Sequence, residues 1–589
     1  MDFNKYYQNE LDYLRDMGEE FAQRYPKLAP YLTQRGTDPD VERLLEGFAF
    51  IAGRIRQKLD DQLPELAEGI FTLLWPHFLR PIPCMSLLEF HPISSVITEK
   101  KTVASGMEVE SEYVENTRCR FRTCFDVDIF PIEITQVSHK STGSGSQIRL
   151  SFKTLNDISL GNIDCQQLRI YLHGNPYVSS MLSLWLLHHV EEITLESDDD
   201  GYQTRKLHLG KEAIEAGGFS ETEMLIPYPK NVFSGYRYLQ EYYCMPQKFN
   251  FVILKKLARL KELANAKSFS VTFNFSHSFE GLLRPERSHF KLYCTPIINL
   301  FERDADPLRL TLQKMDYLVK PIGNDPQHYE IFTIDHVEGR IQGTGEIREY
   351  NPFLSFTNSL TLGREAQTDG QFFQLHRKPG VVGRGIDTYI SFTPQAVWLE
   401  DKEVISLKLT CSNRYLPEKL KEGDICRPTG STPEYVKFAN LLPVSPSLPP
   451  PLQQNDLHWL LISSMSLNYE TLTDIQALKT MLSIYNFPAM YNRQLARAND
   501  LRLSGIQAIE TAPVTLMFKG VLARGLRTHI KINSAKFSSE GEMYNFLTVL
   551  ERFFSLFISI NSFHELWATD VEKGEVYRWK PRTGNQLHM

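Results

Sequence analysis

Apolar residues in the first 83 positions recur at intervals of three and four, which is the spacing of one face of an α-helix. The clearest of these helices begins at Asp38-Pro39, because aspartate is a favoured N-cap and proline fits the first helical position. Its apolar positions continue to residue 59, while charged residues lie mostly on the other faces. We therefore predict an N-terminal helical region over residues 1–83.

From about residue 84 the pattern changes to short alternating or β-branched runs separated by turn-rich stretches. Such runs predict β-rich modules of sandwich or barrel type with helical insertions. A proline-dense stretch near residue 447 then favours extended chain, and a long apolar helix is predicted beyond it. The expected fold class is a multidomain α+β protein. Its predicted segments after the helical region are a first β-rich domain (84–300), a second β-rich domain (301–440), a proline-rich linker (441–455) and a C-terminal α+β domain (456–589).

The composition excludes several classes of protein. The 589 residues are 42% hydrophobic and 23% charged, and 71 acidic against 64 basic residues give a net charge of −7. A general nucleic-acid binder is excluded, because phosphate contacts require a strongly basic surface. We expect no signal peptide and no membrane insertion, since no apolar stretch approaches the ~20 residues that span a bilayer. The eight cysteines occur singly, as is typical of reduced, buried thiols in the cytoplasm.

No motif for catalysis, nucleotide binding or metal binding is present in the sequence, including the P-loop, HExxH and GxSxG patterns. The pair His188-His189 is predicted not to share a metal ion, because neighbours on a helix point about 100° apart. Residues 142–146 are interpreted as a hairpin loop, and Cys119 and Cys124 as structural thiols. We therefore expect no catalytic residues, no cofactor and no metal. The alternative is a soluble cytoplasmic enzyme with a carboxylate-based site that is assembled from distant positions.

Short segments from residue 6 to about 582 resemble one family, and they occur in the order expected for it. They resemble the TssF (VasA/ImpG) baseplate proteins of bacterial type VI secretion systems. Each segment alone is weakly specific, but this many in one order is a specific signal. The segments are DPDVERLLEGFAF (38–50), RIRQKLDD (54–61), WPHFLRPIP (75–83), FRTCFD (121–126), LQEYYCMP (239–246), PIINLFE (296–302), CSNRYLP (411–417), SLNY (466–469), RG (524–525), FLTVLERFF (546–554) and INSF (560–563).

The resemblance implies a structural subunit of a phage-tail-like contractile injection system. Proteins similar to this one form baseplate wedges, with paired TssF copies around one TssG, and six wedges surround a VgrG spike hub. The platform starts polymerisation of the Hcp tube and the contractile sheath. The implied partners are TssG, a second TssF copy, TssK, TssE and the VgrG hub. The implied location is the cytoplasm, docked through TssK at the inner face of the cytoplasmic membrane, and the family implies no catalytic residues or cofactors.

The apolar face of the helix that begins near Asp38 is the candidate interface. A helix this amphipathic can bury its face against another chain or against its own core. Two interpretations stay open, a wedge partner and packing on a helix near residues 66–74. The residues of the face are Val41, Leu44, Leu45, Phe48, Ile51, Ile55 and Leu59.

Overall fold

The structure, a computed structural model, describes most of the chain. The chain divides into two compact units, Met1–Leu79 with Leu452–Ile462, and Arg80–Pro451 with Ser463–Met589. The described residues are 7–8, 10–14, 17, 43–54, 69, 71–72, 75–142, 145–197, 206–229, 232–263, 266–277, 284–310, 314–323, 325–353, 372–379, 385–392, 403–450, 474–518, 521–560 and 562–584.

The first unit is helical in its described part. Residues 43–54 form a helix, as the apolar spacing predicts, and residues 10–14 are also helical. A 3-10 turn follows at Pro76–Leu79. Ala49 and Phe71 are completely buried. The predicted change from helical to β structure is confirmed, because the first strand begins at Met85.

Three sheets of the second unit share its largest hydrophobic core. In Gly145–Thr154 the alternating residues Ile148, Leu150 and Phe152 are buried, which is the period of two that predicted a strand here. A separate two-stranded sheet pairs Lys101–Val103 with Val127–Ile129. In spatial order, the first sheet is Arg427–Pro428, Glu108–Val114, Thr117–Thr123, Cys294–Ile298, Met85–Pro92 and Val436–Asn440; the second is Lys206–His208, Val190–Ser197, Ser268–Phe275, Gly145–Thr154 and Ile132–Thr142; the third is Ile214–Ala216, Phe251–Leu254, Leu168–Leu172 and Phe290–Leu292.

Two further sheets occupy residues 301–412 and have their own core. The long strands Glu330–Ile341 and Glu403–Ser412 form its centre as an antiparallel pair. In spatial order, the fourth sheet is Phe301–Asp304, Glu403–Ser412, Glu330–Ile341 and Ile347–Glu349, with Leu308–Leu310 also paired to Glu403–Ser412; the fifth is Tyr317–Leu318, Ile386–Phe392, Phe372–Pro379 and Asn351–Pro352.

After these two sheets the chain returns to the first one. Val436–Asn440 pairs antiparallel with Met85–Pro92. The proline-rich stretch then continues along the same strand, where Ser445 donates its backbone N–H to the Met85 carbonyl at 2.8 Å. The described part of the predicted linker is therefore a strap hydrogen-bonded to the first sheet, and residues 451–455 lie outside the described residues.

The C-terminal part combines a mixed sheet with a buried helix. Val521–Ile532 and Ser562–Asp570 are parallel neighbours, which requires a crossover, and the helix Glu540–Ser555 supplies it. The Ser539 hydroxyl caps this helix by accepting the Glu542 N–H at 3.0 Å. In spatial order, the sixth sheet is Ile506–Phe518, Val521–Ile532, Ser562–Asp570 and Val576–Arg578, with Arg582–Thr583 also paired to Ser562–Asp570.

The α+β fold class is confirmed by these sheets and by the helices of the second unit. The predicted hairpin at 142–146 is also confirmed, since Thr142 pairs with Gly145. None of the helices in the described ranges has the length and apolarity needed to cross a membrane. The domain boundaries stay predictions. The α-helices of the second unit are Pro176–Leu184, Gly235–Cys244, Ile475–Ile484, Phe487–Tyr491, Arg493–Gly505 and Glu540–Ser555.

Candidate functional site

The helix 43–54 exposes part of the predicted apolar face. Leu44, Phe48 and Ile51 are 73%, 62% and 58% exposed, and we call these three residues the exposed stripe. Their spacing of four and three places them on one line along the helix. Leu45 is half-buried. Three large apolar side chains are therefore exposed side by side, which is the kind of surface that can take part in an interface.

The buried line of the same helix runs beside the exposed stripe. Ala49 is completely buried and Gly53 is also buried, so small residues face inward. Such residues let a helix approach its neighbour closely. The sequence predicted one apolar face of seven residues. The structure describes four of them, of which the three in the exposed stripe are exposed and Leu45 is half-buried. Val41, Ile55 and Leu59 lie outside the described residues.

Two of the segments that carry the family resemblance meet in a buried amide network. Asn299 and Asn413 are completely buried. The Asn299 amide nitrogen donates to Asn413 Oδ1 at 2.9 Å, and the Asn413 backbone N–H donates to Asn299 Oδ1 at 2.6 Å. The backbone N–H of Arg120 also donates to Asn413 Oδ1, at 3.1 Å. This network fixes the place where the chain leaves the first sheet for the fourth and the place where it returns.

A third such segment, 239–246, contributes a buried ion pair. Glu241 and Lys248 are both completely buried, and the Lys248 ammonium donates to the Glu241 carboxylate. The other carboxylate oxygen accepts the backbone N–H groups of Leu225 at 2.8 Å and Ile226 at 3.1 Å. Burial lowers the pKa of Lys248, although the adjacent carboxylate acts in the opposite direction. One carboxylate oxygen of Glu241 therefore holds the loop before its helix, and the other holds Lys248, which follows the helix.

The segments 524–525 and 560–563 form adjacent parallel strands in which Gly525 lies opposite Phe563. A Cβ atom at Gly525 would lie 2.4 Å from the Phe563 carbonyl oxygen, so only glycine fits. The Ser562 hydroxyl donates to the Arg524 carbonyl at 2.7 Å. These two segments, like those above, support the fold rather than a reacting centre.

All eight cysteines are free thiols and six of them are buried, which confirms the predicted burial. Burial raises the pKa of Cys119, Cys124 and Cys165 to about 12. A thiol with so high a pKa holds almost no thiolate at neutral pH and is a poor nucleophile. The interpretation of Cys119 and Cys124 as structural thiols is therefore supported.

We expect at most the two half-buried thiols, Cys244 and Cys426, to react rapidly with an aromatic disulfide reagent in the folded chain. All eight should react after denaturation, because unfolding exposes the buried sulfurs. Absorbance of the released thiolate, followed with and without denaturant, measures the number of reactive thiols in the folded and in the denatured chain. Fast reaction of more than two thiols in the native chain would contradict the assignment.

The histidine pair lies differently from the sequence-based prediction. His188 and His189 both approach Glu575, and the three residues offer ligand atoms within 4.8 Å of one another. The argument from helical geometry considered only the directions in which the two side chains leave the helix, whereas their ring nitrogens lie close together. That the pair holds no shared metal ion stays a prediction. The sequence offered no signal for Glu575, which comes from the C-terminal part of the chain.

Comparisons with known proteins agree with the resemblance. The family model described as "Type VI secretion system, TssF" matches residues 1–586. The type VI secretion system component TssF1 of Pseudomonas aeruginosa is 26% identical over 641 aligned positions, with 99% of each chain covered. A chain of the TssK-TssF-TssG baseplate subcomplex solved by cryo-electron microscopy is 30% identical with a TM-score of 0.78, covering 93% of this chain and 99% of that one. A chain of the type VI baseplate complex is 26% identical with a TM-score of 0.60 over the full length of both. The chain therefore belongs to the TssF family, whose members are structural components of the type VI secretion baseplate.

Proposed function

We propose that this chain is a subunit of the baseplate wedge and acts by assembly rather than by catalysis. It assembles with TssG, TssK, TssE and a second TssF copy around the VgrG hub, and the assembled platform starts polymerisation of the tube and sheath. In support, similar chains occur in a TssK-TssF-TssG subcomplex and in a baseplate complex. The proposed location is the cytoplasmic face of the inner membrane, with TssK as the link to the membrane.

The exposed stripe is the observation that carries the proposal, and TssG is the proposed occupant. Burying one Leu or Phe side chain is worth roughly 1.5–3 kcal/mol, so three such residues supply a useful share of a binding free energy. TssG is chosen because the family resemblance implies paired TssF copies around one TssG, and the similar chain with a TM-score of 0.78 belongs to a subcomplex that contains TssG and TssK. The buried line of the same helix, Ala49 and Gly53, packs within the chain. The two interpretations of the helix are therefore compatible.

Contraction requires wedge interfaces that have two arrangements of similar free energy. We propose that the helix 43–54 takes part in such an interface, because it presents one line of apolar residues outward and another inward. A charge on the exposed stripe then acts on assembly, whereas a charge on the buried line acts on folding.

Phe48→Asp should abolish capture of co-expressed TssG while the chain keeps its fold. The substituted carboxylate would be desolvated at the interface without a partner, which costs several kcal/mol. Pull-down of TssG, with circular dichroism of the purified chain, measures both properties. Met315→Asp is the matched control, because Met315 is an apolar residue that is 92% exposed and lies in the second unit.

A chain that begins at Pro64 gives a second test. If residues 1–62 mainly reach a partner, this chain should stay folded and fail to capture TssG. Aggregation would instead assign the helices to the chain's own core. Retained folding together with undiminished capture of TssG would refute the proposed interface.

A further inference from the structure

Four titratable side chains converge where the C-terminal part of the chain meets the second sheet. His188 Nε2 lies 3.6 Å from Glu575 Oε1, and His189 Nδ1 lies 3.9 Å from the same oxygen. The His277 ring adjoins His189 with a centroid distance of 5.6 Å. In the part of the chain that the structure describes, His188, His189 and Glu575 are the one group of three potential ligands close enough to hold a metal ion.

His188 and His189 follow one another in the π-helical turn Trp185–His189, a kind of turn that occurs frequently at functional sites. The two rings present different nitrogens to Glu575, Nε2 from His188 and Nδ1 from His189. Because an imidazole carries its two nitrogens on different sides of the ring, two successive histidines can approach one oxygen although their Cα–Cβ bonds diverge.

Aromatic rings hold the two imidazoles in position. The Trp185 ring packs on His189 with centroids 4.9 Å apart, and the Tyr577 ring packs on His188 at 4.8 Å. The Tyr577 hydroxyl lies 3.2 Å from Glu575 Oε2 and donates its single proton to the nearer Glu540 Oε1. The Tyr577 ring therefore contacts His188 while its hydroxyl adjoins both carboxylates.

The distances are close to those of a coordinated set. Tetrahedral zinc with bonds of about 2.0–2.1 Å separates its ligand atoms by roughly 3.3 Å. The two histidine–glutamate distances of 3.6 and 3.9 Å approach this value. All three ligand atoms lie within 4.8 Å of one another, and the side chains of His188 and Glu575 are 21% and 33% exposed.

We propose that His188, His189 and Glu575 form a binding site for a divalent transition-metal ion of the zinc class. Two imidazoles and one carboxylate with an open fourth position are a frequent zinc ligand set. The fourth position takes a water molecule. Carboxylate-rich sites prefer magnesium or calcium, whereas imidazole favours zinc, nickel and copper.

The bound ion would join two distant parts of the second unit. Its histidines end the helix Pro176–Leu184, and its carboxylate follows the strand Ser562–Asp570. Polar contacts already join the helix Pro176–Leu184 to the C-terminal part of the chain. They include Ser180 Oγ to Ser539 Oγ at 2.9 Å and Ser183 Oγ to Asn545 Oδ1 at 2.8 Å. The bound ion would therefore add a link between these two parts and stabilise the docking of the C-terminal part.

Titration of the chelator-treated full-length chain with Co²⁺ and Zn²⁺ tests the proposal. We expect one equivalent of Co²⁺ to give visible absorption bands, and Zn²⁺ to displace it and raise the melting temperature. His188→Ala and Glu575→Gln should each weaken Zn²⁺ binding at least tenfold. The matched control is His208→Ala, which removes a surface histidine paired with Glu192 at 2.6 Å and should bind like the unchanged chain.

Two results would overturn the site. One is the absence of bound Co²⁺ or Zn²⁺ from the unchanged chain, and the other is equal affinity in Glu575→Gln. Glu575→Gln keeps the side-chain shape at a partly exposed position and should therefore fold. It still tests the loss of Zn²⁺ binding if His188→Ala fails to fold. Capture of TssG is measured separately and does not depend on either result.

Discussion

Replacing Lys248 by alanine is expected to destabilise the folded chain by about 3–5 kcal/mol. Lys248 is completely buried, and its removal leaves the equally buried Glu241 carboxylate without its cation. The backbone N–H groups of Leu225 and Ile226 still bond this carboxylate but do not neutralise it. A buried charge without a counter-charge is among the largest single costs that a folded chain can carry. Denaturant unfolding, or soluble yield if the variant does not fold, measures the loss.

Lys531→Ala is the matched control for this prediction. Lys531 pairs with Glu510 at 3.0 Å, but both side chains are about half exposed. Exposed pairs contribute at most about 1 kcal/mol, so this variant should unfold nearly like the unchanged chain. Replacing both Lys248 and Glu241 by apolar residues should recover part of the loss, because neither charge then stays buried alone. Equal denaturant midpoints of unfolding for Lys248→Ala and Lys531→Ala would contradict the role of Lys248 as the counter-charge of Glu241.

Gly541→Ala is expected to loosen the docking of the C-terminal helix. Gly541 lies in the first turn of Glu540–Ser555, and a Cβ atom there would lie 2.3 Å from the backbone C and O atoms of Ser180. Backbone cannot rotate away as a side chain can, so the two helices must separate. Overpacking of this kind lowers the free energy of unfolding by about 1–3 kcal/mol. We expect a loss at or above the upper end of this range, because the clash is with backbone atoms.

Thermal unfolding of Gly541→Ala and Gly430→Ala measures this effect. Gly430 has no atom within 4 Å of an added Cβ atom and is therefore the matched control. We expect Gly541→Ala to melt at a lower temperature than the unchanged chain. Gly430→Ala should melt at nearly the same temperature as the unchanged chain. The same melting temperature in both variants would show that the helices are not in the close contact described.

Local patterns predicted the elements of this fold better than their arrangement. The alternation at 148–152 and the apolar helix expected at 542–560 are local signals, and both elements are present, the helix as Glu540–Ser555. The partner strands of Met85–Pro92 are Cys294–Ile298 and Val436–Asn440, which lie far along the chain. No local pattern specifies such pairing, because it depends on how whole faces fit together.

The candidate sites show the same limit. Helical spacing predicted the apolar face of the helix 43–54, but the division between Phe48 outside and Ala49 inside depends on what the helix packs against. The histidine pair was judged on the directions of neighbouring side chains on a helix, whereas a carboxylate from the C-terminal part of the chain approaches both rings. The family segments were found by resemblance, and the structure adds a physical reason for several, such as the amide network of Asn299 and Asn413.

Photo-crosslinking at Phe48 tests most directly whether this chain works by assembly through the exposed stripe. A photoreactive benzoylphenylalanine in place of Phe48 keeps an aromatic side chain at a position that is 62% exposed. In the complex co-expressed with TssG, TssK and TssE, we expect a crosslink from this position to TssG. The same amino acid at Met315, which is 92% exposed, should give none. Equal crosslinking from both positions, or a complete complex without any crosslink from Phe48, would contradict the proposed interface.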